Sequence, residues 1–364
     1  MKPYKYIISG GGTGGHIYPA IAIANKIKAH DPAATIVFVG GIGKMEMKKV
    51  PQAGYPIHGL WIAGIQRKKI MANILFPFQL FVSFFQAFFL WVRYRPDLLI
   101  GTGGFASGPV LFVGSLLGSK TFLQEQNSFP GITNKLLSKR ANGIAVAYPK
   151  MEKYFPKTHV HLTGNPVRET LLDVAKYRKE AYPLFGLDPK KKTLAVLGGS
   201  LGAREINRLI ANHLELFNKM EMQLVWQCGE IYINDTKKYA SEHVKVVPYI
   251  KAMESLYAVA DVIISRAGAA SISELCIVGK PVILIPSPNV AENHQFHNAN
   301  ALAERGAAIL LEEYELENHF DGVFTSLIQS EKQQQNLAKN IQKLALPNAT
   351  KDIVHQLNHL VNGG

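Results

Sequence analysis

Residues 6–16 read Tyr6-Ile7-Ile8-Ser9-Gly10-Gly11-Gly12-Thr13-Gly14-Gly15-His16, a short apolar run that breaks into glycines before a helix-compatible stretch. The pattern returns about half a chain later, where Leu194-Ala195-Val196-Leu197 leads into Gly198-Gly199-Ser200-Leu201-Gly202. In both places a buried strand turns tightly into a helix, and few Cβ atoms stand before its first N–H groups. Such a turn suits a phosphate or a developing negative charge. Two of them imply an α/β protein made of two Rossmann-like, doubly wound parallel-sheet domains facing a central cleft.

The remaining pattern agrees with that architecture. Strand-like runs fall at 6–8, 35–39, 98–101, 121–123, 143–146 and 159–162, and again at 193–197, 223–226, 244–247, 262–264, 282–285 and 307–310. Continuous Val/Ile/Leu runs separated by helical stretches predict parallel sheets covered on both faces. The turn residues Gly164-Asn165-Pro166 put the boundary after Gly164, giving domains over 1–164 and 165–348. Residues 349–361 form an amphipathic closing helix that can pack back on either domain.

With 364 residues the chain is long enough for two cores. Lys+Arg 40 against Asp+Glu 27 gives a formal net charge of +13, which points to an anionic partner: a phosphorylated substrate or an anionic membrane surface. Nucleic acid ranks last, because no arginine-rich tract, zinc-knuckle spacing or aromatic-basic pattern is present. Cys228 and Cys276 make no CxxC and read as buried thiols of a cytosolic protein. Only about three apolar residues precede the first glycines, too few for a secretory h-region, so a cytoplasmic location is expected.

Residues 67–95 stand apart. Arg67-Lys68-Lys69 precedes an apolar stretch from Ile74 to Val92, and Arg93 and Arg95 follow it. The length nearly suffices to cross a bilayer, yet Pro77, Gln79, Ser83 and Gln86 interrupt it and the β/α series resumes directly afterwards. An ordinary core helix is one reading. Phenylalanines at 76, 78, 81, 84, 85, 88 and 89 circle the helix, more than one core face uses. The expectation is therefore a helix packed partly inward and lying partly against an anionic membrane surface, its flanking cations at lipid phosphates.

Gly10, Gly12 and Gly15 match GxGxxG, which raises a nicotinamide or flavin cofactor. The second strand, however, ends Phe38-Val39-Gly40-Gly41 with no carboxylate for ribose hydroxyls, and no cofactor is expected. His16 sits at the helix start, where the dipole favours an uncharged ring, a sensible general base beside oxyanion-binding amides; a helix-start histidine that merely bonds to backbone is the plainer alternative. In Ser265-Arg266-Ala267-Gly268-Ala269-Ala270-Ser271-Ile272-Ser273-Glu274 small residues open another helix start, and Glu274 offers a carboxylate to sugar hydroxyls. His159 with His161, and His294 with His297, share faces but lack a third ligand. With no DxD triplet either, no metal is expected.

Taken together, Gly11 to His16, Gly103-Gly104-Phe105-Ala106-Ser107-Gly108-Pro109, Glu125-Gln126-Asn127, Gly164 to Arg168, Gly198 to Ala203, Arg266 to Ala269 with Ser273-Glu274, and Gln295 ahead of Asn298-Ala299 resemble the MurG family, the peripheral membrane N-acetylglucosaminyltransferases of peptidoglycan synthesis. The resemblance runs in order over nearly the whole chain. It implies the two-domain GT-B architecture, a first domain for a lipid-linked acceptor, a second for UDP-GlcNAc, and a last helix that returns to the first domain. Donor contacts implied by position are Thr13, Gly14, Gly15, Asn127, Arg168, Ser200, the backbone of Ile250, Ala269, Ala270, Ser271, Ile272, Ser273, Glu274 and Gln295. Acceptor diphosphate contacts fall around Gly14 and Gly15 and on Gly104, Ser107 and Gly108. This chain has Gln124 where some members have histidine, which leaves His16 and Glu125 as acid/base candidates.

The implied reaction is inverting transfer of GlcNAc from UDP-GlcNAc to the C4 hydroxyl of MurNAc in undecaprenyl-linked lipid I, giving lipid II and UDP. Its implied location is the cytoplasmic face of the inner membrane, with cell-wall assembly proteins as further partners. A GT-B enzyme with a soluble acceptor, a UDP-GlcNAc 2-epimerase and a non-catalytic nucleotide-sugar sensor are the alternatives.

Overall fold

The computed structural model describes residues 3–64, 73–156, 159–199 and 201–362. The chain forms two compact units: residues 1–167 together with 348–364, and residues 168–347. The crossing therefore falls between Val167 and Arg168 rather than after Gly164.

In the first unit the strands β1 (Lys5–Gly10), β2 (Thr35–Gly41), β3 (Ile57–Leu60), β4 (Leu98–Gly103), β5 (Lys120–Glu125), β6 (Gly143–Val146) and β7 (Val160–Leu162) alternate with α1 (Gly14–His30), α2 (Glu46–Gln52), α3 (Phe76–Tyr94), α4 (Ser107–Leu116) and α5 (Ile132–Leu137). The strands pair in the order β3-β2-β1-β4-β5-β6-β7, all parallel. The order reverses direction between β1 and β4, and ligands of open α/β sheets bind outside the strand ends at such a switch point. Ile17, Ala20, Ile23, Ala24 and Ile27 recur at helical spacing along α1 and are all buried against Ile8, Phe38 and Ile100. The helix α15 (Ala349–Val361) adds Ile353, Val354 and Leu357 to the same core. Lys120 Nζ donates to Leu360 O at 2.9 Å and Tyr4 Oη to Asn362 Oδ1 at 2.6 Å, pinning the end of α15 to this unit.

The second unit carries β8 (Thr193–Leu197), β9 (Gln223–Gln227), β10 (Val244–Val247), β11 (Val262–Ser265), β12 (Val282–Leu284) and β13 (Ile309–Leu310). Around them lie α6 (Arg178–Phe185), α7 (Arg204–Asn212), α8 (Leu214–Lys219), α9 (Ile233–Thr236), α10 (Met253–Val259), α11 (Ala269–Val278), α12 (His294–Ala303), α13 (Leu316–Gln329) and α14 (Glu331–Gln342). Its parallel order β10-β9-β8-β11-β12-β13 places the switch point between β8 and β11. Phe217, Trp226, Phe320 and Phe324 fill the core on one side of the sheet, and the Trp226 indole donates to Asn207 Oδ1 at 2.9 Å. A buried indole N–H needs such a partner.

The helix α3 departs from an ordinary core helix. Its buried positions are the small Ser83 and Ala87, one turn apart, whereas Phe78, Phe81, Phe85, Phe88 and Phe89 are each more than 40% exposed. Small residues let the helix lie close to the domain and turn the aromatic rings outward. It packs on α4, where the Phe84 and Phe112 rings meet edge to face with centroids 5.5 Å apart, and Gln86 Oε1 accepts the Trp61 N–H at 2.9 Å. Arg95 ends the helix in the left-handed conformation. Arg67, Lys68 and Lys69 lie outside the described residues.

Two glycine turns meet at the first switch point. Gly11 N donates to Gly103 O at 3.2 Å, and Gly104 (φ +88°) lies so close that a Cβ there would strike the Gly11 carbonyl and sit 3.0 Å from its nitrogen. Gly104→Ala is expected to destabilise the first unit by about 2–4 kcal/mol, from the left-handed backbone plus the collision. Gly54→Ala, at φ +86° with open space around it, should cost only about 1–2 kcal/mol. Urea unfolding followed by probes in the first unit checks the difference; equal losses would mean that the close contact contributes nothing.

Candidate active site

The first site residues stand on the ends of β1, β4 and β5. Thr13 is the N-cap of α1 in extended conformation, Gly14, Gly15 and His16 make its first turn, and neither a capping side chain nor an acidic residue covers that turn. The helix start is thus open to an anion. The His16 ring lies over Gly103, where a Cβ would come within 2.8 Å of Cε1 and Nδ1. Its Nδ1 is 2.9 Å from Gln126 Oε1. Thr102 Oγ1 donates to the His16 carbonyl at 2.8 Å, so β4 holds both the backbone and the ring. In the following turn Ser107 is buried, and its hydroxyl donates to Gly104 O at 2.7 Å. Gly108 N donates to Phe105 O. Ser107 therefore shapes the turn with its side chain.

Glu125, the other acid/base candidate, is enclosed by N–H donors. It is 1% exposed, and its oxygens accept from Asn127 N at 3.0 Å, Asn134 Nδ2 at 2.8 Å and Gly131 N at 3.2 Å. Burial pushes its carboxyl above the ordinary carboxylate range, while these donors pull it back. A carboxyl so enclosed holds the 127–134 loop in place. Asn127 is bound to it through both its backbone and its side-chain nitrogen.

Sequence patterning gave no sign of Glu46. This residue of α2 is 1% exposed and accepts Gly41 N at 2.9 Å and Gly12 N at 3.0 Å. A carboxylate thus does reach the end of β2, from the following helix, and it occupies loop amides that a dinucleotide pyrophosphate would use. A Cβ on Gly11 or Gly40 would collide with it.

In the second unit Arg168 and Glu274 come together, with Nε 3.8 Å from Oε1. Tyr257, fully buried, donates its hydroxyl to Glu274 Oε2 at 3.1 Å. Burial raises the Glu274 carboxyl above its ordinary range, against the pull of Arg168 and of the Tyr257 hydrogen bond. Ala269, Ala270, Ser271, Ile272 and Ser273 form the start of α11, whose N-cap Gly268 carries no side-chain cap. Ser273 Oγ donates to Ala269 O at 3.0 Å. Ile250 N donates to Gln227 Oε1 at 3.1 Å, and Gln227 Nε2 donates to Gly199 O at 3.0 Å, so one glutamine joins the 250 segment to the second glycine turn. Gln295, on α12, accepts Ser287 N at 2.9 Å. Ser200 lies outside the described residues.

Comparison with known proteins gives this geometry a family. The model of the glycosyltransferase family 28 N-terminal domain matches residues 6–146, and that of the C-terminal domain residues 193–357. Over 362 residues, 99% of both chains, the sequence is 56% identical to the UDP-N-acetylglucosamine–N-acetylmuramyl-(pentapeptide) pyrophosphoryl-undecaprenol N-acetylglucosamine transferase of Flavobacterium psychrophilum. The enzyme of the same name from Cytophaga hutchinsonii is 50% identical over 362 residues, 100% of this chain and 98% of that one. Among solved structures, Acinetobacter baumannii MurG superposes with a TM-score of 0.79 at 27% identity, covering 98% of this chain and 99% of that one. UDP-GlcNAc 2-epimerase from Neisseria meningitidis, at 15% identity and a TM-score of 0.66 over 98% of this chain and 99% of that one, shares the fold alone. Matched in both halves and at least half identical to such relatives over its length, the chain belongs to glycosyltransferase family 28, in its MurG branch.

Proposed function

We propose that the protein transfers GlcNAc from UDP-GlcNAc to the C4 hydroxyl of MurNAc in undecaprenyl-diphosphoryl-MurNAc-pentapeptide, inverting C1 and releasing UDP. The observation that carries this reading is the 44–56% identity, over nearly the whole chain, to transferases named for this donor and acceptor. An epimerase or a transferase with a soluble acceptor shares the fold but does not account for the outward aromatic rings of α3.

In the reaction the acceptor oxygen forms its bond to C1 as the bond from C1 to the UDP oxygen breaks, and the hydroxyl proton passes to His16 Nε2. An uncharged imidazole on an open helix start suits this step, because the same amides favour the developing negative charge. Glu125, enclosed by its donors, keeps the 127–134 loop in shape. In the second unit Glu274 accepts from the ribose hydroxyls and Arg168 turns to the diphosphate, its long side chain being 45% exposed. The open turn of α11, Ser200, the Ile250 backbone and Gln295 complete the donor grip. Gly14, Gly15 and Gly104 present amides to the acceptor diphosphate, with Ser107 and Gly108 holding their turn.

The acceptor's lipid requires a membrane nearby. Beside α3, α4 exposes Phe112 and Leu116, and α5 exposes Ile132 and Leu136. Arg140 lies over the Phe112 ring, 5.7 Å from its centroid. Apolar side chains interleaved with Arg93, Arg95, Lys135, Lys139 and Arg140 suit the anionic inner leaflet, reached from the cytoplasmic side.

Three outcomes are expected. With labelled UDP-GlcNAc and a short-chain lipid I analogue, the protein forms the disaccharide lipid, and His16→Ala lowers kcat by about 100-fold or more at saturating substrates; full activity in that variant would remove His16 from the base role. Because Glu274 takes up its proton at higher pH than an exposed carboxyl, its capacity to accept from hydroxyls weakens as pH falls through that raised value. Calorimetry should therefore show UDP-GlcNAc affinity weakening on acidification from above the ordinary carboxylate range. Glu274→Gln should bind about tenfold more weakly and without that titration; an unchanged pH profile in the variant would take ribose away from Glu274. Finally, Phe81→Ser/Phe85→Ser/Phe89→Ser should no longer sediment with anionic vesicles while retaining UDP-GlcNAc binding, and continued sedimentation would shift membrane contact elsewhere.

A further inference from the structure

Three buried amides behind His16 have their orientation fixed by backbone carbonyls. Asn165 Nδ2 faces Gln126 O at 3.0 Å, and Gln126 Nε2 faces Thr102 O at 2.8 Å and Gln124 O at 3.0 Å. A carbonyl only accepts, so both nitrogens are donors and neither amide can be turned round without setting oxygen against oxygen. Asn165 Oδ1 is then an acceptor, and Gln124 Nε2 donates to it at 2.8 Å. Gln124 Oε1 accepts from Gln126 Nε2 in turn. Asn165 and Gln126 are 2% exposed and Gln124 0%, so water does not compete. What the chain of amides presents to His16 is the Gln126 oxygen, 2.9 Å from Nδ1.

We infer that Gln126, locked by Gln124, Asn165 and the Thr102 carbonyl, is a positioning residue that holds His16 in the Nδ1–H tautomer and leaves the Nε2 lone pair as the proton acceptor. The inference deepens the proposed role of His16 and rests on it for its catalytic meaning, though not for the tautomer itself. The acceptor Oε1 forces the proton onto Nδ1, because two lone pairs at hydrogen-bond distance repel. Among the described residues Nε2 has no hydrogen-bond partner, so the ring's one free acceptor is the atom left for a substrate hydroxyl. The ring is also held against Gly103, so it cannot exchange its nitrogens by flipping without leaving that seat. An amide network keeps this polarity at every working pH, because none of its three members titrates. A histidine at position 124 would both donate and accept according to its own proton, and Gln124 removes that freedom from this chain.

The test reads the tautomer directly. In protein carrying 15N-histidine, a long-range nitrogen–proton correlation spectrum, with His16 assigned by its loss in His16→Ala, should show Nδ1 protonated and Nε2 bare at neutral pH. Gln126→Met, which keeps the volume and removes the acceptor, should move His16 toward Nε2–H. It should also lower kcat by about 100-fold while leaving the KM for UDP-GlcNAc within about twofold, since donor binding does not use the tautomer. Gln126→Glu, which keeps an oxygen facing the ring, should retain Nδ1–H. An Nε2–H signal in the unaltered protein overturns the inference without any variant, and so does an Nδ1–H signal that persists in Gln126→Met. If His16→Ala stays fully active while the tautomer behaves as stated, the base role falls and the positioning of the ring stands.

Discussion

The first unit depends on a contact that leaves no room for a side chain. Two glycine turns, one leaving β1 and one leaving β4, meet backbone to backbone where Gly11 donates to Gly103 and Gly104 presses on the Gly11 carbonyl. This approach brings the starts of α1 and α4 side by side at the switch point. It also seats His16 over Gly103, within reach of Gln126 at the end of β5. A single methyl group at either turn would open the arrangement, so the chemistry of the base depends on residues that have none of their own.

Two buried carboxylates stabilise what the glycines make possible. Glu46 joins Gly12 to Gly41, and Glu125 joins Asn127, Gly131 and Asn134. Among the described residues neither is ion-paired with a lysine or arginine; each is held by N–H groups that would otherwise be unsatisfied in loops following strands. Hydrogen bonds from several amides offset part of the cost of burying such a charge.

Much of this was legible in the sequence, for definite reasons. Parallel strands are continuous apolar runs between helices, and twelve runs read that way became strands. β3 escaped because Pro56, His58 and Gly59 break its apolar signal in a four-residue edge strand. The glycine turns and the start of α11 were visible because the missing side chains are themselves the signal. What patterning could not supply was contact across long sequence distance. Glu46 lies 34 residues from Gly12, Gln126 lies 110 from His16, and Tyr257 lies 17 from Glu274. Gln126 stood inside a quoted motif without a role, because the direction of an amide depends on carbonyls that only the fold places. Glu125 stood as an acid/base candidate beside His16, and the hydrogen bonds that enclose it, from residues two, six and nine positions on, depend on a turn whose shape patterning does not give.

The return of α15 to the first unit reverses the order in which the chain is completed. Ile353, Val354 and Leu357 belong to the core that α1 begins, and Lys120 and Tyr4 grip the residues just beyond. A ribosome therefore releases every strand of the first sheet, and then the whole of the second unit, before the stripe along α1 receives its last cover. During that interval the nascent N-terminal half has a finished sheet and an unfinished hydrophobic surface. The last helix is the step that covers this surface and closes the domain.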